Sequence, residues 1–296
     1  MHAEDLRRGA LLMIASGLLF SVMGAVIKYI SVHLPNEMVV FFRSAMGLLV
    51  LLPWAWRRGF HHMKTKRWRG HLLRGLAGVS AMYCYFFTIA HLPLAEAVLL
   101  NYSTPLFVPF IAAIWLGEKF PARLWLAIGT GFAGILLILK PGLALFTPVA
   151  LIGVAGGMFA ALAMVSIRRL TSSEPTLRIV FYFSAVCTAV SAVPLAWRWQ
   201  TPEPGLWILL LLVGVMASLA QSLMTRAYAH APAAQVGPFT YSTVVFAAAV
   251  GWLFWGEVLD VLSFAGALLV CVAGILTIRL AGQRLLAEAK LVPKES

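Results

Sequence analysis

Arg43 stands in the run MVVFFRSAMGLL, about seven residues into an apolar helix. At 1.5 Å per residue that places it roughly 10 Å below the surface of any bilayer the helix crosses. A cation at that depth costs about 2.5 to 3.5 kcal/mol on insertion scales, which points to a cavity or a gate. The plainer alternative is a long stem that snorkels, or a pair with a helix-end carbonyl. Lys28 lies nearer the end of its own apolar run, so snorkelling to the headgroups is the expectation there, with a second cationic contact as the functional reading. Glu96 is the one acid among 11 that falls inside an apolar segment. It either offsets the positive end of its helix or acts as a protonatable group or partner for Arg43.

Two polar patches complete the chemical inventory: Asn101, Tyr102, Ser103, Thr104 and Thr240, Tyr241, Ser242, Thr243, each near the middle of an apolar run. Polar groups in hydrocarbon need partners. The hydroxyls can serve as glue between helices, whereas Asn101, Tyr102 and Tyr241 are bulky enough to meet a ligand. Pro105 frees a mid-helix carbonyl that must find a donor elsewhere. Tyr83, Tyr85, Gln221 and Ser222 are secondary candidates. His91 and His230 recur two residues before a proline and are expected to cap helix ends. Glu118 and Glu257 recur in Gly-Glu stops and are expected to hold helix ends.

The elements that position these groups are repeated. His91 to Glu118 reads HLPLAEAVLLNYSTPLFVPFIAAIWLGE, and His230 to Glu257 reads HAPAAQVGPFTYSTVVFAAAVGWLFWGE. The match extends outward, with Phe41, Ser44 and Ala45 against Phe181, Ser184 and Ala185, and Ala133-Gly134-Ile135-Leu136 against Ala273-Gly274-Ile275-Leu276. Spanning a bilayer takes about 17 to 25 mostly apolar residues. Segments near 9–30, 37–55, 72–90, 95–116, 124–140, 148–167, 176–197, 205–228, 235–255 and 261–281 qualify, five to each copy. An odd number of spans per copy inverts the second copy in the membrane. The expected fold is therefore an all-α membrane protein of ten helices in two inverted five-helix repeats, 9–140 and 148–281, followed by a cytoplasmic tail 282–296.

The charge of +12 would suit a nucleic-acid binder in a soluble chain, but 61% hydrophobic and 11% charged residues leave no hydrophilic domain to carry such a site. The positive-inside bias accounts for it. With the N-terminus inside, the basic loop 56–71, Arg74 and the basic tail fall on one side; of 23 basic residues only Lys140 and Arg198 fall outside, with Lys28 and Arg43 embedded. Both termini are thus expected to be cytoplasmic, in an inner membrane. Cys84, Cys187 and Cys271 are isolated in apolar runs and imply no disulfide framework. His61-His62 has no companion at ligand spacing, so no metal is expected; no cofactor is implied.

The chain resembles the EamA-type branch of the drug/metabolite transporter superfamily over about residues 10–281. The resemblance rests on LPLAEA at 92–97, NYSTPLF at 101–107, LGE at 116–118 with its echo at 256–257, and the arginine of FFRSAMG at 41–47. In the second copy NYSTPLF becomes TYSTVVF and the proline is lost. The resemblance implies a secondary carrier of a small organic metabolite, amino-acid-like, vitamin or nucleoside-like, working by alternating access around a cavity lined from both halves. The expected partners are that substrate and the lipid bilayer, with a proton as candidate coupling ion and a homodimer left open. The rivals are a membrane-embedded transferase, which needs clustered acids, histidines or a metal that the sequence does not supply, and a non-transporting helper, which does not need Arg43 and Glu96.

Overall fold

The computed structural model describes residues 3–58, 64–116, 122–139, 147–171, 173–230 and 237–291. Among these the chain is all helix and turn. The elements are α1 (Ala3–Ile30), α2 (Asn36–Arg58), α3 (Trp68–His91), α4 (Leu94–Asn101), α5 (Thr104–Leu116), α6 (Ala122–Leu139), α7 (Pro148–Thr171), α8 (Thr176–Ala192), the single turn α9 (Leu195–Arg198), α10 (Pro204–His230), a 3₁₀ turn (Gly237–Tyr241), α11 (Ser242–Trp255) and α12 (Val261–Leu291). Six segments are long and apolar enough to cross a membrane, and four shorter apolar helices accompany them: Trp125–Ile138, Arg178–Ala192, Phe239–Trp255 and Val261–Thr277. Leu11, Leu49, Leu76, Leu151, Leu211 and Leu268 stand exposed on separate helices. An apolar surface spread round the whole bundle is what lipid contact requires and water does not tolerate.

The helices pair across the repeat boundary. α1 packs along α10 and against α11, α3 packs along α7, α2 meets α8, and α6 meets α12. Hydroxyls tie these contacts: Ser16 Oγ donates to Ala220 O at 2.8 Å and Ser21 Oγ to Thr243 O at 2.8 Å. Small residues on α7 permit close approach, since a Cβ on Gly157 would stand 2.7 Å from Ser103 Oγ. Gly17 of α1 is in the same position against Thr243 Oγ1, at 2.8 Å.

The structure departs from the expected continuous spans at both signature segments. The first is broken at Tyr102–Ser103, because Pro105 lacks an N–H and its ring crowds the carbonyl four residues back; as the second residue of α5 it costs nothing there. The exposed carbonyls are met by the polar patch. Ser103 Oγ donates to Leu100 O at 2.5 Å, Thr104 Oγ1 to Asn101 O at 2.6 Å, and Tyr241 Oη to Tyr102 O at 3.1 Å. The described part of the second signature segment, from 237 onward, begins with the 3₁₀ turn instead. At the chain's end, the segment expected to be a tail from 282 continues the helix of α12 to Leu291.

Candidate functional site

The bundle has two ends, one carrying Lys28 and Glu257 and the other Glu174 and Arg178. At the first, Lys28 at the end of α1 is held inward, which corrects the snorkelling expectation. Its ammonium pairs with Glu257 Oε1, donates to Leu92 O at 2.7 Å and sits 5.5 Å from the centre of the Trp255 ring. Glu257 Oε2 in turn accepts from Leu94 N at 2.7 Å, satisfying an orphan donor at the start of α4. The backbone that delivers Glu257 turns at Gly256, whose φ of 64° lies in the left-handed region that glycine adopts without strain. Lys28 and Glu257 keep only 12% and 17% side-chain exposure, so the clamp is shielded from water. It joins α1, α4 and α11, and a cavity of about 270 Å³ beside it is lined by Pro93, Ala95, Trp252, Glu257 and Phe264.

Glu96, also at this end, is half-buried and does not pair with Arg43. Its Oε1 lies 2.5 Å from Ser263 Oγ, which is 2.9 Å from Asp260 Oδ2. One hydroxyl has a single proton to donate. Ser263 Oγ therefore links the two carboxylates and can donate to only one of them at a time. Asp260 Oδ1 meanwhile caps α12, accepting from Leu262 N at 3.0 Å and Ser263 N at 3.2 Å. His91 places Nδ1 2.8 Å from Phe87 O and stacks its ring on Phe87. It therefore holds the end of its helix, as the sequence reading has it.

At mid-depth, Arg43 reaches α3 and donates from Nη1 to Met82 Sδ at 3.0 Å, while its Nε is enclosed with no hydrogen-bond partner. The thioether is a weak acceptor and leaves the charge uncompensated. Asn36, at the start of α2, donates to Tyr83 O at 3.0 Å and fixes the neighbouring turn of α3; the Tyr83 hydroxyl is enclosed with no partner. The structure adds a residue that the sequence reading assigned to the cytoplasmic basic cluster. Arg74 is the seventh residue of α3, with its guanidinium stacked on Phe183 at 4.0 Å and its Nε enclosed without a partner. Its distance from the helix start matches that of Arg43 and was the available signal.

The patch residues come together at the centre. The Tyr102 and Tyr241 rings lie 6.5 Å apart, and Tyr241, 5% exposed, fills the packed core. Asn101 is the half-buried last residue of α4, and Gln221 stands on the exposed face of α10. A second cavity, about 380 Å³ and wholly apolar, lies between α5, α6 and α7 against Phe107, Phe110, Trp115, Phe132 and Phe159. Glu118, Gln235, Lys140 and His61-His62 lie outside the described residues. Among the described residues no three His, Cys, Asp or Glu side chains converge as a metal would need.

At the opposite end, Glu174 between α7 and α8 accepts from Thr65 Oγ1 at 2.6 Å and Arg178 Nη1 at 2.5 Å, with His71 Nε2 at 3.9 Å. Burial alone would push this carboxyl up, but the Thr65 and Arg178 hydrogen bonds and the Arg178 and His71 charges outweigh it and hold it below the usual range.

A helix bundle with membrane-length apolar segments, apolar side chains exposed on its outer surface and charged side chains enclosed within it is a multi-pass membrane protein. The EamA-like transporter family model matches residues 7–140 and again 147–279, and the chain belongs to that family. It is 40% identical to the Pseudopaline exporter CntI of Pseudomonas aeruginosa, over 93% of this chain and 97% of that one. It is 30% identical to a riboflavin transporter of Vibrio cholerae, with 85% and 86% covered, and 29% identical to an S-adenosylmethionine uptake transporter of Rickettsia felis, with 85% of each covered. A solved crystal structure superposes with a TM-score of 0.63 over 96% of this chain and 99% of its own; at 18% identity it speaks for the fold alone.

Proposed function

We propose that this protein is a secondary transporter that carries a small organic metabolite by alternating access, rocking two inverted five-helix units, 9–140 and 148–281, about a shared centre. The observation that carries the reading is the Lys28–Glu257–Leu94 clamp, which draws α1, α4 and α11 together at one end. A closure made of one ion pair and two hydrogen bonds to the backbone can break and re-form as the units rock. The packing supports the repeat: α1 against α10 and α11 is matched by α3 and α5 against α7, as a two-fold exchange of units demands. On this reading both termini are cytoplasmic in the inner membrane, and the clamp is the outer gate. Labelling of a single cysteine at position 61 from outside intact cells would overturn that orientation.

Of the three relatives named above, the exporter shares the most identity, and we read the direction as outward. Glu96 is the proposed coupling group, an acid inside an apolar span that Ser263 links to Asp260. The test is proton-driven uptake by everted vesicles of a panel of labelled amino acids, organic acids and vitamins, with Glu96→Gln alongside. Some member of the panel should accumulate, and Glu96→Gln should lose its dependence on the pH gradient while remaining folded. Uptake by Glu96→Gln with an unchanged pH profile rules out the coupling role. Uptake by none of the panel rules against a small-metabolite carrier.

A further inference from the structure

The two mid-depth arginines share one neighbourhood. They stand on helices that pack on one another, α2 and α3 both meeting α8, and Cys187 of α8 points its thiol at Gly75 O, next in sequence to Arg74, over 3.6 Å. Neither has an ion-pair partner among the described residues; the ion pairs formed there involve Lys28, His71, Arg178 and Arg198. Two like charges enclosed in a low-dielectric interior are costly unless a counter-charge joins them. The fold nonetheless builds them in. A Cβ on Gly78 would stand 2.6 Å from Arg74 Nη1 and 2.4 Å from the Phe183 ring, so the missing side chain at 78 is what lets the guanidinium lie on α3 beneath Phe183. Among the described residues, seven of the nine enclosed side-chain polar atoms without a hydrogen-bond partner belong to α2 and α3, and Arg43 Nε, Ser44 Oγ, Arg74 Nε and Tyr83 Oη are among them. Unmet polar groups are thus concentrated on the two helices that carry the charges.

We propose that Arg43 and Arg74 form an oxyanion-binding site between α2, α3 and α8 that takes a carboxylate, or a group of the same shape and charge, of the transported metabolite. Guanidinium presents Nε–H and Nη–H as a planar fork matched to two oxygens, and two such forks suit a substrate with a pair of acidic groups. Phe183 holds one fork in place from its ring face. Arg43 and Arg74 then act as binding residues, while Gly78 and Phe183 position Arg74. The proposal deepens the transporter reading and rests on it only for the word substrate.

The experiment measures binding, separately from transport. Purified protein in detergent is titrated with succinate, citrate, L-glutamate and inorganic phosphate, with glucose and choline as neutral and cationic controls, and thermal unfolding is followed. A ligand held only by the folded state raises the midpoint. At least one oxyanion should raise it while the controls do not. Arg74→Gln should weaken that oxyanion about tenfold or more, and Arg74→Lys, which keeps the charge and loses the fork, should fall between. Equal affinity in Arg74→Gln overturns the proposal, as does stabilisation by choline alone. Phenylglyoxal modification of the wild-type protein, mapped by peptide mass, covers the case of a variant that fails to fold. The oxyanion should protect positions 43 and 74, and absence of protection overturns the site. Binding without transport contradicts the transporter reading and leaves the site standing; transport of neutral solutes with no oxyanion binding does the reverse.

Discussion

The two halves put opposite chemistry on matching helices. In the first, α2 and α3 bring Arg43, Arg74 and Tyr83 to mid-depth. In the second, the residue aligned with Arg43 is Phe183, and at the His91–His230 offset the residue aligned with Arg74 is Val213, fully buried in the apolar core. The aligned residue is also a contact: Phe183 of the neutral half lies on Arg74 of the charged half. Duplication accounts for the shared scaffold. The charge difference between the copies breaks the symmetry of the frame, with Phe183 of the second copy walling Arg74 of the first.

The largest expected effect breaks this asymmetry directly. Arg43→Gln should lower transport per folded molecule on the order of a hundredfold, the size of a lost charge-assisted contact, while Phe183→Leu should cost no more than about tenfold. Near wild-type rates in Arg43→Gln would return the arginine to a structural role. Next is the clamp, where Lys28→Ala or Glu257→Ala leaves a shielded charge without its partner. The loss approaches the roughly 3 kcal/mol end of the range for buried pairs, discounted for the residual exposure. Unfolding midpoints should show the exchange Lys28→Glu with Glu257→Lys recovering part of that loss. No recovery would mean that Leu92 O and Leu94 N, not the ion pair, carry the contact.

A smaller effect separates packing from ligand contact at the centre. Tyr241→Phe leaves Tyr102 O without its donor and should cost about 1 kcal/mol of stability with transport per folded molecule retained. A transport defect with unchanged stability would restore Tyr241 as a substrate contact. The smallest effect lies at the opposite end of the bundle. Because the Glu174 carboxyl is held low in the folded protein, its stabilisation is complete above the ordinary glutamate value near pH 4.3 and is lost as pH falls through the lowered value. Glu174→Gln should therefore lie below the wild type in stability at neutral pH and converge with it in acid; a constant gap across that range would show that its ionisation plays no part.

Much of the frame was legible from residue order. Membrane-length apolar runs, their duplication and the family motifs are local or periodic properties, and Pro105 marks its own break because a missing N–H acts wherever the chain goes. Arg43 stood out because its cost depends on depth along one helix. Arg74 has the same depth along α3, but it follows a run of basic loop residues and was counted with them. Lys28 was assigned to the headgroups because a long stem near a helix end permits that.

The sequence by itself determined an all-helical, lipid-embedded, duplicated chain of the EamA type, because apolar run length, proline chemistry and repeated motifs do not depend on which helix packs on which. Only the tertiary structure decided the partners. It closed Lys28 on Glu257 across 229 positions of chain, gave Glu96 to Ser263 instead of Arg43, spent the Tyr241 hydroxyl on a carbonyl of the other half, and set Arg74 beneath Phe183. Each of these pairs joins residues whose sequence separation carries no information about distance, and a charge or hydroxyl buried away from water takes the partner that helix packing brings within reach.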